Sequence, residues 1–175
     1  RFSGNHGNST AGRYSCPGCE PDQHTNLNSI HIMDKSKELN ASVKLINEKL
    51  HFTGTVEGNS PVSIDYTPPL GDNLGYTSLE LLLLSLSSCL GSSVLTFLRR
   101  MGKTIREFEI RSKGFRKQEH PTGFSHIIME MDITAENLLE AEVDKLVRLS
   151  EATYCPVWSM LRGNVTVEVK YKINP

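Results

Sequence analysis

The chain lacks the marks of several protein classes. Lys and Arg total 19 against 20 Asp and Glu, a net charge of −1 with neutral histidines, so no basic surplus points to nucleic acid. Four cysteines in 175 residues are too few for a disulfide scaffold. No stretch has the basic, apolar and small-residue order of a secretory signal, and the expectation is a cytoplasmic chain with reduced thiols. Aromatics are 7% of the residues, so a core must be built mainly from Leu, Ile and Val. At 38% hydrophobic and 22% charged, the composition is that of a folded protein, and the length suits one domain with or without a tail.

Residues 1 to 40 have no sustained period of 2 or 3.6 and carry Gly4, Gly7, Gly12, Pro17, Gly18 and Pro21 among Asn, Ser and Thr. Such a segment buries too little apolar surface to offset its ordering entropy, and a flexible tail is expected. Met33, followed by Asp-Lys-Ser-Lys-Glu, reads as a native start, with a leader or a fusion remnant before it. Residues 41 to 175 are the expected folded domain.

In that domain Val43 and Leu45, then Leu50 and Phe52, flank a turn at Asn47-Glu48-Lys49, and Val62, Ile64 and Tyr66 alternate with polar residues. Three short antiparallel strands follow. A loop rich in Pro and Gly leads to Ser78–Met101, Leu-rich on every side, which predicts a helix buried on most of its circumference. Glu80, Thr96 and the serines within it are too polar for a membrane span, so a place in a core or a dimer interface is expected.

Ile105 to Arg111 and the alternating His126 to Ile133 predict a long hairpin turned at His120-Pro121-Thr122-Gly123. Apolar residues at spacings of 3 and 4 from Ala135 through Leu138, Leu139, Val143, Leu146 and Val147 predict an amphipathic helix. Pro156 opens a short helix that Gly163 ends. Val165, Val167, Val169, Tyr171 and Ile173 then alternate as a closing strand. The order βββ-α-ββ-αα-β is α+β.

Each cysteine has two readings. Cys16 and Cys19 have the spacing of a zinc or redox half-site near His6, His24 and His31, but no second half-site completes a tetrahedral shell. Cys155 precedes a Pro-initiated helix whose free N–H groups and dipole favour a thiolate; otherwise it is a small core residue beside Val157 and Trp158. Cys89 lies in mid-helix without a dipole, inert unless a tertiary partner such as Arg stabilises its thiolate.

The run Leu79-Glu80-Leu81-Leu82-Leu83-Leu84-Ser85-Leu86-Ser87-Ser88-Cys89, followed 66 residues later by Tyr154-Cys155-Pro156-Val157, resembles the paired motifs of the OsmC and organic hydroperoxide resistance (Ohr) family. Leu50-His51-Phe52-Thr53-Gly54, Arg116 ahead of Pro121-Thr122-Gly123-Phe124-Ser125-His126-Ile127, and Leu149-Ser150 are supporting matches, and the similarity runs over about residues 42 to 173. The resemblance implies an OsmC-like fold of antiparallel sheets around a long central buried helix, in an intertwined homodimer. It implies a thiol peroxidase for organic hydroperoxides, with Cys89 as the peroxidatic thiolate and Cys155 as the resolving thiol in a Cys89–Cys155 disulfide. Reduction would come from a lipoyl-type dithiol, with no metal or flavin.

Two positions depart from the family's best-characterised branches. Their acidic residue lies ten positions before the first cysteine, where this chain has Leu79, with Glu80 next. Nine residues at about 100° each place Glu80 opposite Cys89 on a straight helix and about 13.5 Å along it. Glu80 therefore acts across a dimer or caps the first helical turn. The family's substrate-side Arg comes from the N-terminal strands, which here contain none, leaving Arg116 on the hairpin as the substitute or as a solvated charge. A non-catalytic redox sensor or carrier of an apolar ligand is the alternative function.

Overall fold

The computed structural model describes residues 38–175. The expected tail, including Cys16, Cys19 and the start at Met33, lies outside the described residues apart from its last positions.

Strands β1 (Ser42–Leu45), β2 (Phe52–Thr55) and β3 (Val62–Ile64) form an antiparallel sheet in the order β1-β2-β3. Asn47 shapes the first turn, its Oδ1 accepting the N–H groups of Lys49 at 2.9 Å and His51 at 3.2 Å. The loop after β3 wraps around Asp65, a buried carboxylate that accepts N–H bonds from Tyr66 at 2.7 Å, Leu74 at 2.9 Å and Asp72 at 3.1 Å. Burial pushes this carboxyl up, but these donors, with His51 nearby, hold it below its ordinary range. Gly71 is required here, because a Cβ would stand 2.2 Å from Asp65 Oδ1.

Helix α1 (Ser78–Arg100) begins in a capping box: Thr77 Oγ1 accepts the Glu80 N–H, and Glu80 Oε2 accepts the Thr77 N–H at 2.7 Å. Arg99 and Arg100 complement the dipole at its other end. A long hairpin follows, β4 (Ile105–Arg116) and β5 (Phe124–Ala135), extending past the predicted strand ends. The chain continues through α2 (Glu140–Leu149), a π-helical turn (Ser150–Tyr154) and α3 (Pro156–Leu161) to β6 (Thr166–Asn174).

The core lies between the second sheet and the helices. Alternation along β5 turns Ile127, Met129, Met131 and Ile133 inward, where they join Leu86, Leu90, Val94 and Leu98 of α1, Val143 of α2 and Trp158 of α3. Burying each such aliphatic side chain is worth about 1.5–3 kcal/mol.

Three expectations are corrected. The second sheet is mixed rather than antiparallel, because β6 pairs with β5 in parallel, Ile127 opposite Val167, after the helical crossover. Helix α2 starts at Glu140 and not near Ala135: Asn137 has φ 55° and Leu139 is extended, its N–H capped by Glu142 Oε2 at 2.9 Å. In the single chain α1 buries one face, centred on Leu86, Leu90, Val94 and Leu98, and leaves Leu84 52% exposed. The helix is nonetheless long and apolar enough to cross a membrane by length and composition.

Candidate functional site

Position and packing bring two of the four sequence-derived site residues together. Cys89 is half-buried on α1, at the edge of the face that packs into the core. Cys155, 1% exposed, caps α3, and its Sγ lies 2.7 Å from Cys89 Sγ, with Cys155 as the donor. Neither thiol is in a disulfide.

Local structure explains the aim of Cys155. The residue before a proline avoids helical angles, and Cys155 has φ −102° and ψ 96°. Its N–H donates to Ser150 O at 2.9 Å, an i to i−5 bond that closes the π-helical turn. Its Sγ accepts the Trp158 N–H at 3.4 Å, the N-cap contact the sequence suggests.

Of the two readings of Cys155, the thiolate at the helix start is not favoured. Burial, together with donation to Cys89, pushes the thiol up to about 12, and the amide groups of Trp158 and Val157 only partly offset this. Cys155 is therefore a proton-bearing thiol presented to Cys89 sulfur.

Glu80 and Arg116 are elsewhere. The Glu80 carboxylate is engaged with the Thr77 N–H and hydroxyl, which hold it below its ordinary range, and it lies about 13.5 Å along α1 from Cys89. Arg116 donates from Nε to Thr122 O at 2.8 Å and from its guanidinium to Thr122 Oγ1. It lines a cleft of about 500 Å³ with Tyr66, Ser78 and His120, at the N-terminal end of α1. Within one chain neither residue faces the cysteine pair.

Sequence reading missed Ser93 and the π-helical turn. Ser93 Oγ lies 3.0 Å from Cys89 O and 3.3 Å from Tyr154 O. The Phe97 ring meets Tyr154 edge-on at 4.8 Å. Both fall at four-residue steps after Cys89, so helical spacing marks their face, although not their partner. Ser150 is fully buried and its Oγ has no hydrogen-bond partner among the described residues. Among the described residues no three His, Cys, Asp or Glu side chains group as metal ligands.

The model of the OsmC-like protein family matches residues 71–170, a span that holds both cysteines. Protein YhfA of Escherichia coli K12 is 27% identical over 135 residues, which cover 77% of this chain and 98% of YhfA. The OsmC-like protein of Mycoplasma pneumoniae shares the fold with a TM-score of 0.69 at 19% identity, over 80% of this chain and 99% of that one. An organic hydroperoxide resistance protein from Legionella pneumophila does so with a TM-score of 0.58 at 18% identity, over 79% and 97%. With the helix, the hairpin and the two cysteine segments all inside the matched span, the chain belongs to the OsmC-like protein family.

Proposed function

We propose that the protein is a thiol peroxidase that reduces organic hydroperoxides to alcohols. The observation that carries this reading is the 2.7 Å approach of a buried, protonated Cys155 to a half-exposed Cys89. Cys89 thiolate attacks the distal peroxide oxygen, the O–O bond breaks, and the alkoxide takes a proton to leave as alcohol. Cys89 is then a sulfenic acid. Cys155 sulfur attacks it, the S–O bond breaks, and hydroxide leaves as water with the Cys155 proton. A lipoyl-type dithiol returns two electrons and two protons by exchange and is itself oxidised to a disulfide.

The Leu-rich surroundings of Cys89 favour an apolar peroxide over hydrogen peroxide, and free thiols suit a cytoplasmic setting. The working unit in this reading is a homodimer. Strands β1 to β3 supply no residue to the buried hydrophobic core and leave Val43 and Leu45 exposed, and a three-stranded sheet so exposed needs a second surface. A role for Glu80 or Arg116 in the reaction also requires that second copy.

Cys89→Ser should abolish consumption of cumene hydroperoxide in the presence of a dithiol. Turnover that survives the substitution overturns the assignment. A redox-sensing or ligand-carrying role is the alternative, favoured by an open, mainly apolar groove of about 380 Å³ along α1, lined by Leu84, Gly91, Leu95, Phe108 and Ile110. Slow turnover, with ligand affinity that changes on Cys89–Cys155 oxidation, would favour it instead.

A further inference from the structure

Two segments distant in sequence must hold their sulfurs in register, and sulfur chemistry alone does not keep them there. The peptide between Tyr154 and Cys155 is pinned at both ends: its N–H donates to Ser150 O at 2.9 Å, and its C=O faces Ser93 Oγ at 3.3 Å. The first contact is local to the π-helical turn. The second reaches across to the helix that carries Cys89, one turn beyond it.

Ser93 has a single hydroxyl proton, shared between Cys89 O at 3.0 Å and Tyr154 O. Ser87 makes the same back-bond to the carbonyl four residues before it, Leu83 O, but its second contact is Ser112 Oγ, and Ser88 turns back to Ser85 O, so neither reaches the turn before Cys155. The Ser93 hydroxyl thus touches the backbone of one cysteine and of the residue preceding the other. One turn further along α1, the Phe97 ring meets the Tyr154 ring edge-on, their centroids 4.8 Å apart.

We propose that Ser93 is a positioning residue for closure of the Cys89–Cys155 disulfide. The inference rests on the thiol-pair reading above but not on the identity of the oxidant. Closure requires the sulfurs to come to about 2.05 Å with a defined dihedral angle, a geometry that a loose Cys155 loop samples less often. One neutral hydrogen bond shifts such a population by about fivefold.

The test uses the reduced 175-residue chain and diamide, a diazene oxidant that takes two electrons and two protons from the thiol pair and becomes a hydrazine. The Cys89–Cys155 bridge is followed by peptide mass mapping, and Cys89 alkylation by iodoacetamide is timed separately. Ser93→Ala should slow bridge formation about fivefold, leave Cys89 alkylation within about twofold, and be rescued by Ser93→Thr, which keeps the hydroxyl. Bridge formation at the wild-type rate in Ser93→Ala overturns the proposal. So does an equal loss of Cys89 alkylation, or a Ser93→Thr variant as slow as the alanine. If cumene hydroperoxide fails to oxidise wild-type Cys89 while the diamide series behaves as stated, the peroxidase reading falls and the role of Ser93 stands.

Discussion

Cys155 donates its thiol proton toward Cys89 across 2.7 Å while its own amide is held by Ser150 and its sulfur by the Trp158 N–H. One sulfur is thereby kept protonated and in place, and the other is left half-exposed at the helix edge.

That asymmetry should be visible in reactivity. Iodoacetamide at about pH 8 should alkylate Cys89 and spare Cys155, whose thiol is held up to about 12. The sign for stability follows. A thiol raised in the folded state contributes fully below its ordinary value of 9.0, and the contribution is lost as pH rises through about 12. Urea melts of the reduced protein should therefore show it losing stability relative to Cys155→Ser between neutral pH and about pH 10. A constant difference between the two would refute the assignment.

Asp65 should make the protein acid-sensitive. Its carboxyl is held below the ordinary value of 3.8, so its contribution is present above that value and lost as pH falls through the lower folded one. Asp65→Asn should lower the melting temperature at neutral pH, because an amide nitrogen would face donors that the second carboxylate oxygen now accepts. The gap from wild type should close in acid as the native carboxyl protonates, which thermal melts across pH would measure.

Gly114 on β4 lies beneath the buried Phe124 ring. A Cβ there would stand 2.3 Å from Phe124 Cε1, so Gly114→Ala should cost about 1–3 kcal/mol by overpacking. Phe124→Leu in the same chain should recover part of that loss, since the ring edge is the obstacle. Denaturant melts of the single and double variants, read as a coupling energy, decide it.

Much of the fold is legible because hydrophobic period reports local geometry. The Leu run and Glu80 mark α1, and the alternation in β5 and β6 marks both strands. The parallel pairing of β6 is not legible, since alternation tells which face is buried and nothing about a neighbour's direction. Leu138 and Leu139 extend the apolar spacing of α2 toward its N-terminus, but the positive φ at Asn137 and the extended Leu139 keep them outside the helix. The π-helical turn carries no period of its own, being a one-residue change in hydrogen-bond register between α2 and Pro156.

The amino-acid sequence by itself determined that α1, the β4–β5 hairpin, α3 and β6 form, because capping, proline and apolar period act over a few residues. Tertiary structure alone decided that Cys89 and Cys155 meet, and it decided between the two readings of Cys155 in favour of a buried, protonated thiol. The physical reason is one of range. A helix N-terminus acts on the residue beside it, whereas burial and a donor–acceptor contact between residues 66 positions apart exist only once the chain has folded.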